Sequence, residues 1–167
     1  MKIKLVITDI DGVWTDGGMY YDMHGNELKK FNTSDSAGVL FLKLLDIPIA
    51  IITGEDVPIV SCRAKKLNIN HVFLGVKDKL KIATKFCDEL GISLDEVAFI
   101  GDDINDLKLL RAVGYSACPE NAPEYVKKQV QNIIPKKGGK GAFRVFVEQL
   151  LKENKLFDKA LELYLNQ

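Results

Sequence analysis

Short apolar runs that end in a carboxylate, a hydroxyl or a glycine, most of them followed by helical periodicity, are the feature that most narrows the fold of this chain. The runs are Lys4 to Thr8, Pro48 to Thr53, His71 to Leu74, Glu96 to Gly101, Tyr115 to Ala117 and Asn132 to Ile134, and they read as strands. Between them, Ala37 to Leu45, Val57 to Leu67, Leu80 to Leu90, Leu107 to Ala112 and Ala122 to Val130 carry apolar residues three and four apart. Parallel strands need crossover connections that cover a face of the sheet, so the pattern predicts an α/β, doubly wound, Rossmann-like parallel sheet with helices on both faces. A chain of 167 residues fits one domain, residues 1–167.

Residues 13–32 break the alternation. Two β-rich segments flank Met23-His24-Gly25-Asn26, which predicts a β-hairpin over about residues 17–32, projecting just after the first strand. The tail from Lys152 is helical in pattern, with Leu156, Phe157, Ala160, Leu161 and Tyr164 on one face.

Composition excludes several classes. Lys plus Arg (23) equals Asp plus Glu (23), so no global field exists to hold nucleic acid or an anionic membrane. No apolar stretch reaches the roughly 18 residues of a membrane span. Cys62, Cys87 and Cys118 match no metal or redox spacing and read as free, mostly buried thiols. His24 and His71 have no partner at ligand spacing and fit a turn and a strand start. The expected location is the cytoplasm.

In doubly wound sheets, ligands bind at the carboxyl ends of the strands. The first run leads into Asp9 and Asp11, the second into Thr53-Gly54, the fourth into Gly101-Asp102-Asp103 with Asp106 a turn later, and Lys79 opens the helix after the third. Carboxylates this close repel one another unless a cation holds them, and an oxygen-only donor set points to Mg²⁺. Asp9, Asp11 and Asp102 are the expected ligands, with Thr53 and Lys79 facing a phosphate. Asp103 suits a helix cap, and Asp106 suits a supporting role that orients Lys79 or a metal-bound water. A signalling receiver domain also combines such residues, but its acceptor Asp would end the third strand, where this chain has Leu74-Gly75.

Asp9-Ile10-Asp11-Gly12, Thr53-Gly54, Lys79 and Gly101-Asp102-Asp103-Ile104-Asn105-Asp106 together resemble the four ordered motifs of the haloacid-dehalogenase-like superfamily. The resemblance implies a phosphatase in which Asp9 attacks phosphorus to form an aspartyl-phosphate. Asp11 then protonates the leaving alcohol and afterwards activates water. Only the hairpin and Gly75-Val76-Lys77-Asp78 occupy the places where relatives insert a cap, so a capless enzyme is expected. Capless length, the hairpin, Phe31-Asn32 leading to Asp35 and Gly38, and Gly138-Gly139-Lys140-Gly141-Ala142-Phe143-Arg144 narrow the resemblance further. They point to the subfamily of 3-deoxy-D-manno-octulosonate 8-phosphate phosphatase, whose members are typically homotetramers with hairpins at the subunit interface.

In one place the chain departs from the eight-carbon pattern, with Thr53-Gly54-Glu55 standing where Thr-Gly-Arg is usual. Reversing a charge beside the substrate favours a different acid. The departure resembles the branch acting on 2-keto-3-deoxy-D-glycero-D-galacto-nononate 9-phosphate, or on N-acetylneuraminate 9-phosphate in sialic acid biosynthesis. Thr33, Gly54, Glu55, Arg63, Lys66 and Arg144 are the residues expected to contact the sugar acid. The glycine run at Gly138 reads as a mobile flap closing over the site, with Lys140 or Arg144 reaching the substrate or an adjacent subunit. Trp14 and the hairpin residues Met19, Tyr20, Tyr21 and Phe31 suit core or interface.

Overall fold

A computed structural model describes residues 3–166. Its strands and helices are β1 (Leu5–Thr8), β2 (Tyr20–Tyr21), β3 (Glu27–Leu28), α1 (Asp35–Leu44), β4 (Ile49–Ile52), α2 (Pro58–Lys66), β5 (His71–Phe73), α3 (Lys79–Leu90), β6 (Val97–Ile100), α4 (Leu107–Ala112), β7 (Tyr115–Pro119), α5 (Glu124–Lys127), β8 (Asn132–Ile134), α6 (Ala142–Glu153) and α7 (Phe157–Leu165). Six strands form one parallel sheet in the order β5-β4-β1-β6-β7-β8. The expected α/β architecture is what the chain adopts.

Alternation along β1 builds both halves of the core. Val6 packs in a cluster with Val39, Leu42, Val60, Phe143, Phe146 and Leu150, so α1, α2 and α6 cover that face. Leu5 and Ile7 point the other way, into a cluster with Ala83, Phe86, Leu109, Leu110 and Val126 from α3, α4 and α5. A strand buried on both faces reads as a continuous apolar run, as Leu5-Val6-Ile7 does.

The hairpin β2–β3 is antiparallel, pairing Tyr20 with Leu28 and Tyr21 with Glu27. Its turn is closed by Asp22, whose Oδ1 accepts the His24 and Asn26 N–H groups at 2.8 and 2.9 Å. Gly25 occupies the left-handed region there, at φ +81°. No further element separates the hairpin from α1, and only residues 74–78 separate β5 from α3, so no cap covers the sheet edge. Among the described residues, no helix is long and apolar enough to cross a membrane.

Two expectations change. The helix read over Ala122 to Val130 is a single turn, Glu124–Lys127, because Pro123 precedes it and the Gln129 N–H bonds back to Val126 O, closing the turn before β8. The glycine run is not a flap. Gly138 donates its N–H to Asn121 Oδ1 at 2.9 Å, Gly139 donates to Val13 O at 3.1 Å, and Asn32 donates to Gly139 O. A Cβ on Gly138 would collide with the Gly12 carbonyl, so glycine allows two loops to touch. Trp14 is fully buried core, stacked on Phe143 with ring centroids 4.6 Å apart.

Candidate active site

β1 is flanked by β4 on one side and β6 on the other, so strand order reverses beside it and a crevice opens at its carboxyl end. The backbone there is tightly organised. Asp9 donates its N–H to Ile100 O at 3.0 Å, extending the β1–β6 ladder past the strand, and Ile10 O accepts from the N–H groups of Val13, Trp14 and Thr15. Asp9 Oδ1 accepts the Ile10 N–H at 2.8 Å, and Thr8 Oγ1 accepts from Trp14 Nε1 at 2.9 Å. Gly12, at φ +79°, has no room for a side chain because Asp102 fills that space. The close approach served by this glycine is therefore to Asp102.

A cleft of about 270 Å³ lies at this edge, lined by Asp9, Asp11, Gly12, Asp16, Gly17, Thr53, Gly54, Glu55, Asp102, Asp103, Asn105 and Asn121. Four separate strand ends thus converge on one cavity. Beneath it the Lys79 ammonium, 1% exposed, lies 2.8 Å from Asp9 Oδ2 and 2.7 Å from Asp106 Oδ1. Asp106 Oδ2 accepts the N–H groups of Asp102 and Asp103 at 2.9 and 3.1 Å. Gly101 makes this possible, since a side chain there would occupy the Asp106 carboxyl position.

Among the described residues, ligand oxygens of Asp9, Asp102 and Asp106 lie within 4.8 Å of one another. Both Asp106 oxygens are already engaged, which leaves Asp9 and Asp102 to face a cation. Burial pushes the Asp9 carboxyl up to about 7, with the Asp106 charge adding to the rise against the pull of Lys79. Burial, then Asp9, Asp106 and Asp103, push Asp102 up to about 8. Two buried carboxyls that resist ionising side by side need more positive charge than Lys79 supplies. A hard divalent cation, Mg²⁺ as expected, fits this oxygen donor set. Lys79 itself is lowered by burial but raised by more through Asp9 and Asp106, so it stays protonated.

Asp11 departs from the expectation that its carboxylate joins the metal group. Its Oδ1 accepts from Lys29 Nζ at 2.8 Å and Thr15 Oγ1 at 3.3 Å, and its Oδ2 is buried without a partner. The opposite charge of Lys29, 18 residues along the chain, draws the carboxylate aside. Asp103 caps the short turn Ile104–Asp106 through the Ile104 N–H at 2.7 Å and accepts from Tyr125 Oη at 2.7 Å. Asp106 Oδ1 accepts from Lys79 Nζ at 2.7 Å.

The residues expected to hold the sugar acid are only partly assembled. Gly54 and Glu55 line the cleft. Thr33 is exposed in the turn before α1, and Lys66 is exposed at the far end of α2, a helix that begins near the cleft and runs away from it. Arg63 donates to Ser36 Oγ at 3.1 Å and lies over the Phe31 ring. Arg144 pairs through Nε with Glu148 Oε1 at 2.7 Å. None of these four lines the cleft of its own chain. Lys29, Asp16, Asn105 and Asn121 escaped the sequence reading. Asn105 stood inside the quoted motif and was the one with a visible signal.

Residues 45–146 match the haloacid dehalogenase-like hydrolase family. The chain is 38% identical over 162 residues to 3-deoxy-D-manno-octulosonate 8-phosphate phosphatase of Haemophilus influenzae, spanning 95% of this chain and 90% of that protein. The crystal structure of the Moraxella catarrhalis enzyme of the same name, in complex with magnesium ion, phosphate ion and a KDO molecule, superimposes with a TM-score of 0.93. It is 38% identical and covers 97% of this chain and 93% of its own. A cobalt-bound form of the Haemophilus influenzae enzyme superimposes with a TM-score of 0.89 at 38% identity, covering 93% and 91%. A doubly wound sheet with an acidic, oxygen-only centre at its switch point and this kinship defines the class, a phosphatase. The chain belongs to the haloacid dehalogenase-like hydrolases, in their capless form, and the receiver-domain alternative falls away.

Proposed function

We propose that this chain is a Mg²⁺-dependent phosphatase of a 3-deoxy-2-keto sugar acid, and that the acid is 3-deoxy-D-manno-octulosonate 8-phosphate. The observation that carries the reading is the meeting of Asp9, Thr53, Lys79 and Asp102 at one sheet edge in a chain 38% identical to a phosphatase named for that substrate. The whole chain, residues 1–167, acts as one phosphatase domain.

Asp9 is the nucleophile. One of its carboxylate oxygens forms a bond to phosphorus while the ester P–O bond breaks, and the departing alcohol oxygen takes a proton from Asp11. Water then attacks phosphorus, gives its proton to Asp11, and releases inorganic phosphate from Asp9. Thr53 and Lys79 bind the phosphoryl oxygens as charge moves onto them. Asp9 and Asp102 would hold Mg²⁺, whose charge would offset that of the phosphate and allow both carboxylates to be ionised together. Asp106 fixes Lys79 and the Asp102 backbone, and Asp103 caps the loop.

A second reading rests on Glu55, which is exposed at the lip of the cleft beside Gly54. An anion there accepts hydrogen bonds from sugar hydroxyls, which favours the longer hydroxylated tails of the nine-carbon 2-keto-3-deoxynononate 9-phosphate or N-acetylneuraminate 9-phosphate, the latter a step of sialic acid biosynthesis. Comparing kcat/KM on the eight- and nine-carbon acids separates the readings. Preference for the eight-carbon acid supports the first, and preference for a nine-carbon acid replaces it with the second. Arg63, Lys66, Arg144 and Thr33, which do not line the cleft of their own chain, serve a neighbouring one in a homotetramer. Exposed Met19, Tyr20, Tyr21, Met23 and Leu28 of the hairpin supply its contacts. The enzyme works in the cytoplasm, on a small molecule, without nucleic acid or membrane.

A further inference from the structure

The hairpin carries almost no buried surface of its own. Of residues 16–30 only one is buried, and it is a lysine, Lys29. Side chains alternate along an extended segment, so Glu27 and Lys29 share one face while Leu28, 55% exposed, takes the other. Burying an ammonium is unfavourable unless it is paired, and Lys29 Nζ is paired twice, at 2.8 Å from Asp11 Oδ1 and 2.8 Å from Glu27 Oε1. Glu27 neutralises the lysine from within the hairpin. Among the described residues, Asp11 is the one ion-pair partner of Lys29 on the body of the fold, so the inward end of the hairpin terminates on the proposed acid.

The two Asp11 oxygens are thereby made unequal. Oδ1 is held by Lys29 and Thr15, while Oδ2 is buried and has no partner. We infer that Lys29 is a positioning residue: it anchors Asp11 through Oδ1, keeping the carboxyl out of the Asp9–Asp102 group and leaving Oδ2 as the oxygen that meets the leaving group. The inference rests on the proposed role of Asp11. In the step concerned, the ester P–O electrons pass to the leaving oxygen, the Oδ2–H bond breaks, and its proton closes the new O–H bond. Lys29 gives up no proton and touches no substrate.

A residue that positions the acid matters in proportion to how badly the leaving group needs a proton. Single-turnover phosphoryl transfer, measured by rapid quench with Mg²⁺ on a series running from alkyl to nitrophenyl phosphates, reads this directly. General acid catalysis is commonly worth about 10²–10⁴-fold. Lys29→Met is expected to slow the alkyl esters at least tenfold and 4-nitrophenyl phosphate less than threefold, on the order of part of that range, so that log rate falls more steeply with leaving-group basicity. An equal loss across the series, with an unchanged slope, would reduce Lys29 to a packing role and overturn the inference. Lys29→Gln, which keeps a donor without the charge, provides the same comparison if the methionine variant does not fold. Wild-type protein that transfers no phosphoryl group from any ester contradicts the phosphatase reading itself, whereas an active wild type with parallel slopes contradicts only the role of Lys29.

Discussion

The Lys79 ammonium donates to Asp106 Oδ1 at 2.7 Å in a pair where neither side chain is more than 1% exposed. The contact joins the start of α3 to the turn before α4 directly beneath Asp9. Three charged groups share this buried space, so each depends on the others. Removing one partner of a buried pair commonly destabilises by about 3–5 kcal/mol. Lys79→Ala is expected to lose about that much in urea denaturation without metal, and to lower kcat with saturating Mg²⁺ by at least about 10²-fold. Near-normal turnover would show that the buried ammonium is not needed at the phosphate.

In the proposed site Asp106 acts on the metal through its neighbours, since its second oxygen holds the Asp102 and Asp103 N–H groups. Loss of such supporting groups typically weakens metal affinity about 10–100-fold. Asp106→Ala is expected to raise the Mg²⁺ concentration for half-maximal activity by about that factor. Asp103→Ala, which removes a cap and the Tyr125 partner, is expected to cost about 1 kcal/mol of stability with little change in Mg²⁺ dependence. Magnesium titrations of the two variants side by side make the distinction.

Gly138 meets the loop after β1 so closely that any side chain would strike the Gly12 carbonyl. Overpacking of this kind typically costs about 1–3 kcal/mol. Gly138→Ala is expected to lower thermal stability accordingly and to lower kcat as well, because the displaced loop carries Asp11 and Gly12. Unchanged kcat in a destabilised variant would separate the glycine run from the site.

Asp35 is fully buried, with Oδ1 accepting the Arg144 N–H at 3.0 Å and Oδ2 without a partner. Burial lifts its carboxyl from 3.8 to about 6, against the pull of the Arg144 N–H and the charges of Arg63 and Arg144. The folded state therefore holds this proton more tightly than the unfolded chain. Its contribution is most favourable below pH 3.8 and is lost as pH rises toward about 6. Asp35→Asn is expected to gain stability relative to wild type between pH 4 and pH 7.5, by up to about 3 kcal/mol. Urea denaturation of both proteins at the two pH values measures it, and a constant difference contradicts it.

The parallel sheet and the residues at its strand ends were legible because they are local. A strand stops where its carboxylate or hydroxyl begins, and the sheet gathers those ends whatever the loops do. The direction of the Asp11 carboxylate was not legible, because the Lys29 ammonium it meets comes from 18 residues along the chain, through a hairpin whose curl no spacing reveals. Helix α6 is written plainly in Phe143, Phe146, Val147, Leu150 and Leu151, but the adjoining glycines drew the reading toward a flap. Those glycines exist for contact with another loop, a long-range demand that looks like flexibility in one dimension. The cations chosen for the sugar acid share the site's sequence neighbourhood, yet α2 carries Lys66 about nine residues, roughly 13 Å, away from the edge where the helix starts.

Trapping the covalent intermediate tests the central claim most directly. Protein mixed with substrate and Mg²⁺, quenched in acid within the first turnover and digested for mass spectrometry, is expected to carry one phosphoryl group on the peptide containing Asp9, and Asp9→Asn is expected to carry none while remaining folded. Steady phosphate release with no phosphorylated Asp9 peptide at any quench time, or full turnover by folded Asp9→Asn, would contradict the account.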